Sequence, residues 1–195
     1  MTATQLSLRP EARHDGRTAE ILALVRGAFA EKGFDGASMQ DLARAAGMSV
    51  GNFYRYFPSK YAIVQALIAQ DLAEMEGEFL TVLQSPAPME GLRSLMQARL
   101  DVHRTREDGQ LWAEITAAAL RKPEIGAVAQ KMEDEIAGYM IAVFARITGF
   151  AMADAQTRFR AQATLIVMLV KAAAMQPAKE PELRGNLSAL ILRTI

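Results

Sequence analysis

Apolar residues recur along this chain at three- and four-residue intervals almost from end to end, the spacing that lines up one face of an α-helix. Between positions 17 and 32, Ile21, Leu24, Val25, Ala28 and Phe29 form such a stripe, and Gly33 stands where glycine ends a helix. Ser38 with Asp41 three positions on resembles a capping box, opening a second helix over 39–46 whose inward face is Leu42, Ala45 and Ala46. Gly47 closes that helix, Met48 spans a tight turn, and Ser49 caps a short third helix over 50–57. Pro58 ends it, because the residue before a proline is pushed away from helical angles. Ser59 then caps a long helix over 60–83, apolar at Ile63 and Leu67 and acidic further on at Asp71, Glu74, Glu76 and Glu78. Past the linker SPAP at 85–88, helices are expected over 89–106, 109–121, 123–148, 152–176 and 181–194. Breaks at Glu107–Gly109, Lys122–Pro123, Gly149 and Pro177 separate them. No strand-like alternation, repeat or low-complexity tract interrupts the pattern. The fold class is all-α.

Composition narrows the picture without deciding it. A chain of 195 residues with 51% apolar and 23% charged side chains has enough to bury a core and too little charge for disorder. The absence of cysteine excludes disulfides, thiolate catalysis and cysteine-ligated metals. The opening MTATQLSLRPEARHDGRT holds no apolar run of signal-peptide length. The longest apolar stretch, 161–175, is broken by Gln162, Thr164 and Lys171, short of a membrane span. The expectation is a soluble, cytoplasmic protein with no membrane partner. Basic and acidic residues balance at 22 each, so bulk charge points to no polyanion. Residues 1–60 carry eight basic against six acidic side chains, a small surplus. Any nucleic-acid reading must therefore rest on where the charges stand.

The first three predicted helices, with a glycine turn between the second and third, describe a helix-turn-helix unit over 17–64. On a wheel of about 100° per residue, Val50, Phe53 and Phe57 fall together and face the first helix, while Gly51 with Arg55 and Asn52 with Tyr56 lie opposite. The aromatic run in MSVGNFYRYFPSK (48–60) thus divides: Phe53 and Phe57 are core, and Tyr54 and Tyr56 border an outward face. That face suits DNA. Tyrosine hydroxyls, Lys60, Arg44 and the backbone N–H groups at the Ser38 and Ser59 helix starts can bind phosphate oxygens. Asn52 can pair bidentately with adenine, Arg55 can reach guanine, and Gly51 omits a side chain where a groove must come close. The same spacing also fits an ordinary helix–helix seam, since three-helix units occur as purely structural elements. The first sixteen residues read as a flexible tail; Arg9 and Arg13 there offer either a minor-groove arm or a loose end.

The run ILALVRGAFAEKGFDGASMQDLARAAGMSVGNFYRYFPSKYAIVQAL resembles the N-terminal domain of the tetracycline-repressor (TetR) family of bacterial transcriptional regulators. It supplies Phe29, Gly33, Phe34, Ser38, Leu42, Ala43, Ala46, Gly47, Ser49, Gly51, Phe53, Tyr54, Tyr56, Phe57, Lys60 and Ile63 at the places of the family's pattern. The likeness covers residues 17–64. Met48 stands for the usual valine and Tyr61 for the usual glutamate, neither at a DNA-facing position. The resemblance implies that Ser38, Arg44, Tyr54, Tyr56 and Lys60 hold phosphates while Ser49, Val50, Gly51 and Asn52 lie along the bases. Arg55 matches a variable position and reaches either a base or the backbone.

One such unit covers only a few base pairs, so two copies are expected on half-sites about 34–36 Å apart. Residues 65–195 would form a ligand-binding and dimerisation domain, joined to the first by the helix 60–83. Its last two helices, 152–176 and 181–194, carry more apolar surface than one buried face needs: Ala161, Ala163, Ala172 and Ala174 on one, Leu183, Leu187, Leu190 and Ile191 on the other. On spacing alone they either finish the monomer core or pair with a second copy; the resemblance implies a four-helix homodimer interface. The middle helices would enclose a pocket for an unknown, largely apolar effector. Met96, His103, Trp112, Met132, Tyr139, Met140, Phe144 and Met168 are its candidates, each open to a plain core role as well. The whole reads as a ligand-responsive regulator, most naturally a repressor released from a palindromic operator by its effector.

A helical interaction or ligand-binding protein without DNA binding is the alternative. Catalysis has little to stand on: the two histidines are His14 and His103, and no G-x-S-x-G, phosphate-cradling glycine loop or H-E-x-x-H occurs. The acidic run Glu133, Asp134, Glu135 points in different directions around a helix and suits a solvated face better than a metal. No cofactor, metal or catalytic residue is expected.

Overall fold

Serine and glycine punctuation sets where the chain turns. The computed structural model describes residues 10–102, 106–176 and 180–195. The expectations for Arg9, His103 and the break at Pro177 lie outside the described residues. Within them the chain is helical: α1 (Pro10–Gly36), α2 (Met39–Ala45), α3 (Val50–Tyr56), α4 (Lys60–Gln84), α5 (Pro88–Val102), α6 (Arg106–Arg121), α7 (Pro123–Thr148), α8 (Met152–Ala174) and α9 (Pro181–Leu192). The first helix begins at Pro10, ahead of the expected start at 17. It kinks at Gly33, whose φ of 73° and ψ of 166° only glycine adopts without strain.

The first three helices pack into a small unit around Ile21, Val25, Phe29, Leu42, Phe53 and Phe57, all buried. Phe29 stacks on Phe34 at 6.0 Å and Phe53 tilts against Phe57 at 5.7 Å. Two expected core positions are corrected: Leu24 and Ala45 are exposed, and Leu22 and Ala43 are buried instead. Helical spacing gives a face but not which flank of it a neighbour covers, and α1 is packed by α6 as well as by α2 and α4.

The long α4 leaves this unit with Ile63, Val64 and Leu67 in its core, and ends in the second domain with Phe79 and Val82 buried there. In that domain α7 runs between α4 and α8, and α6 crosses from α7 back to α1. Pro123 opens α7, and Gly149, left-handed at φ 72°, closes it with its N–H on the Ala145 carbonyl at 2.9 Å. The expected break at Glu107–Gly109 is absent, because α6 already runs from Arg106. Gly109 serves a close approach instead: a Cβ there would lie 2.4 Å from the Ala174 carbonyl oxygen at the end of α8. Among the described residues, no helix is long and apolar enough to cross a membrane.

Candidate nucleic-acid interface and pocket

The helix-turn-helix is built by caps. Ser38 Oγ accepts the Asp41 N–H at 3.1 Å, and the Asp41 carboxylate accepts the Ser38 N–H at 3.0 Å, closing a reciprocal box at the start of α2. Asp41 also takes Lys32 Nζ at 2.6 Å. That bond, then those from the Ser38 hydroxyl and backbone, hold the Asp41 carboxyl well below the usual carboxylate range. After α2 the chain reverses at Gly47 (φ 64°), with its N–H on the Arg44 carbonyl at 3.0 Å and the Met48 N–H on the Ala43 carbonyl at 2.9 Å. Ser49 Oγ then accepts the Asn52 N–H at 3.3 Å and starts α3.

The wheel drawn for α3 holds on its buried side, where Phe53 and Phe57 lie inside with Val50 half-buried beside them. Opposite, Gly51, Asn52, Tyr54 and Arg55 are exposed, and a Cβ on Gly51 would meet nothing within 4 Å. Arg44 stands on the same unit with 71% of its side chain exposed and only a 3.4 Å contact to Asp41. Three expected phosphate ligands are engaged within the fold. Tyr56 is half-buried and packs against the core. Lys60 turns back, donating to the carbonyls of Phe34 at 2.7 Å and Asp35 at 3.2 Å with its ammonium 5.0 Å from the Phe34 ring centroid. Lys60 thus clamps the start of α4 to the end of α1, where the carbonyls of a closing helix attract a cation. The Ser38 hydroxyl is likewise committed to its capping box.

The junction of the two domains is polar, and nothing in helical periodicity marks it. The Phe34 N–H donates to Glu114 on α6 at 3.1 Å. Asp35 takes Arg121 at 2.8 Å and Lys122 at 3.4 Å, and the Arg121 hydrogen bond, with partial desolvation opposing, lowers its pKa. On α1, Arg26 pairs with Asp71 of α4.

Asp71 also lines a pocket between α4, α5, α6, α7 and α8, with a water-accessible volume of about 100 Å³. Met96, Trp112, Met132 and Met140 line it as expected. Three candidates do not. Tyr139 packs on Phe79 at 5.5 Å, Phe144 is buried against Phe159 at 5.3 Å, and Met168 is 58% exposed on the outer face of α8. Helical spacing placed them on apolar faces but could not tell which neighbour each face meets. The polar lining was not anticipated: Arg99, whose Nε donates to Glu78 at 3.0 Å, Glu133, which takes Lys171 at 2.6 Å, and Thr116. Of the acidic run on α7, Glu133 therefore turns inward, while Asp134 accepts from Gln130 and Glu135 pairs with Lys131.

Residues 21–67 match the model of a family described as bacterial regulatory proteins, tetR family. The HTH-type transcriptional regulator UidR of Escherichia coli K12 is 30% identical over 130 residues, 58% of this chain and 63% of that protein. The chain thus spans less than two thirds of that relative's length. The HTH-type transcriptional repressor KstR2 of Mycobacterium tuberculosis is 31% identical over 88 residues, 45% of this chain and 44% of its own. Among solved structures, Salmonella enterica GusR has a similar fold, with a TM-score of 0.70, 23% identity, and coverage of 96% of this chain and 97% of that one.

Proposed function

We propose, from the match of residues 21–67 to the tetR family of bacterial regulatory proteins, that this chain is a member of that family and that the whole molecule is a ligand-responsive, DNA-binding transcriptional regulator. In this reading it acts in the cytoplasm as a homodimer on a palindromic operator, represses, and lets go when a small molecule fills the pocket. The observation that carries it is the division of α3. Two phenylalanines fix the helix from behind, while Gly51, Asn52, Tyr54 and Arg55 stand outward and exposed, with open space over Gly51. A helix held so firmly, with a bare glycine beside an amide and a guanidinium, has the shape and donors of a major-groove reader.

Tyr54 and Arg44 supply phosphate contacts, and Asn52 and Arg55 the base edges. Ser49, Val50 and Gly51 lie alongside, at the end of α3 that leads into the groove. Lys60 and Ser38 contribute mainly by holding helices in place. Release follows if the liganded pocket favours a separation of the two recognition helices that no longer fits the half-sites. The lever is α4, with α6 beside it: α6 presents Trp112 and Thr116 to the pocket and Glu114 to the end of α1.

An electrophoretic titration on the DNA upstream of the chain's own gene tests this. Binding should weaken steeply with salt. Asn52→Ala should relax preference at one base pair, and Tyr54→Phe should weaken all sequences alike. Unchanged affinity in both variants would refute the interface.

A further inference from the structure

We propose that the pocket takes an uncharged, mostly apolar ligand of about ring size that carries one hydrogen-bonding oxygen, held by the Thr116 hydroxyl. The proposal deepens the effector reading above and rests on it for its regulatory meaning, though binding itself needs no DNA.

The walls decide the body of the ligand. Met75, Met96, Trp112, Ile115, Met132 and Met140 surround the space, a lining of adaptable thioethers and one aromatic plate. An apolar cavity of about 150 Å³ takes a benzene ring, so the ~100 Å³ here is on the scale of one small ring, and larger molecules would extend through the mouth.

The charges decide what the ligand is not. Each ionised group on the wall already has a counter-ion: Asp71 has Arg26, Arg99 has Glu78, and Glu133 has Lys171. Asp71 and Arg26 are 17% and 22% exposed, and Glu133 and Lys171 27% and 29%, so in these two pairs little water is at hand to replace a lost partner; only Glu78, at 43%, is well exposed. A cation at Asp71 or Glu133, or an anion at Lys171, would have to take one member and strand the other in that setting. A neutral ligand leaves all three pairs intact.

Thr116 decides the polar end. It lines the pocket, and its Oγ1 is buried with no hydrogen-bond partner among the described residues. A buried hydroxyl without a partner is a standing cost to the empty protein. A ligand oxygen placed over α6 would remove that cost, and an alcohol, ketone or ester can each supply one. The methyl of the same threonine leaves the rest of that wall apolar.

Trp112 is the only tryptophan in the chain and lines the pocket, so its fluorescence reports occupancy directly. The full chain would be titrated with cyclohexanol, methylcyclohexane, cyclohexanecarboxylate and cyclohexylammonium, none of which absorbs where tryptophan does. Cyclohexanol should give a saturable change at the lowest concentration, roughly fivefold or more below the other three, the span of one net hydrogen bond. Thr116→Val should erase that advantage, leave methylcyclohexane unchanged and raise the melting temperature of the free protein. Thr116→Ser should keep the preference. The proposal falls if either ion binds as tightly as the alcohol, if Thr116→Val keeps the alcohol's advantage, or if no probe gives a saturable response. Operator binding is measured separately. A chain that passes this test yet ignores operator DNA overturns the regulator reading alone, and the reverse result overturns only the ligand class.

Discussion

Lys60 and Asp41 show how a charged residue at a helix start can be committed to the fold. The Lys60 ammonium is spent on two carbonyls at the end of α1. Lys60→Met should therefore lower stability by about 1.5–3 kcal/mol, the range for hydrogen bonds to a charged group. It should weaken DNA binding only in step with that loss, whereas Tyr54→Phe weakens binding at unchanged melting temperature. Thermal unfolding and operator titration on the same two variants separate the roles. Asp41 gives a pH dependence. Its folded pKa is depressed from 3.8 by Lys32 and by the Ser38 hydroxyl and backbone. Its contribution is complete above the unfolded value and fades as the pH falls through and below it. In acid unfolding followed by circular dichroism, Asp41→Asn should flatten the stability loss below about pH 4, the ordinary aspartate range. The exposed edge of α3 was legible in the sequence because a helix wheel needs only spacing. Lys60 was not, because its partners lie 25 and 26 residues away and the motif marks its position without its direction.

Elements were read well where a side chain announces them. Ser38, Ser49 and Ser59 cap their helices as expected, and Pro123 and Gly149 bound α7 at the expected residues. Glycine was read less well, since it marks an end, a turn or a close approach with the same letter. Gly109 has the spacing of a break and is a close approach. Gly33 was taken for an end and is both a kink and a contact: a Cβ there would sit 2.8 Å from a Glu114 carboxylate oxygen, at a φ side chains avoid. Gly33→Ala should thus cost about 1–3 kcal/mol of stability from its backbone alone, with a further loss from Glu114. Urea unfolding of Gly33→Ala with and without Glu114→Ala resolves the two, because the second change relieves the clash and leaves the strained φ. A Gly33→Ala protein as stable as the parent would mean that the kink is not required.

At the scale of the molecule, the apolar surface left over says what the chain lacks on its own. Leu165 (47%) and Met168 (58%) on α8, and Leu183, Leu187 and Leu190 on α9 (46%, 46% and 55%), are exposed, while Ile166, Val167 and Ile191 beside them are buried. On α9 the leucines fall at i, i+4 and i+7, a stripe facing away from the monomer core. Two neighbouring helices with such faces suit a two-fold contact, in which each side chain meets its own copy or a near neighbour. Leu187→Glu would then set two carboxylates against each other and remove two apolar anchors at once. Burying a leucine is worth about 1.5–3 kcal/mol, so at micromolar concentrations sedimentation velocity should find the parent dimeric and Leu187→Glu monomeric. Its helical circular dichroism should be unchanged, because Leu187 lies outside the buried core. Joining two half-site readers raises avidity by about 10²–10⁴, and operator affinity should fall by a comparable factor in the variant. A Leu187→Glu chain that remained dimeric would move the interface off α9. One that became monomeric yet kept full operator affinity would show that a single helix-turn-helix suffices.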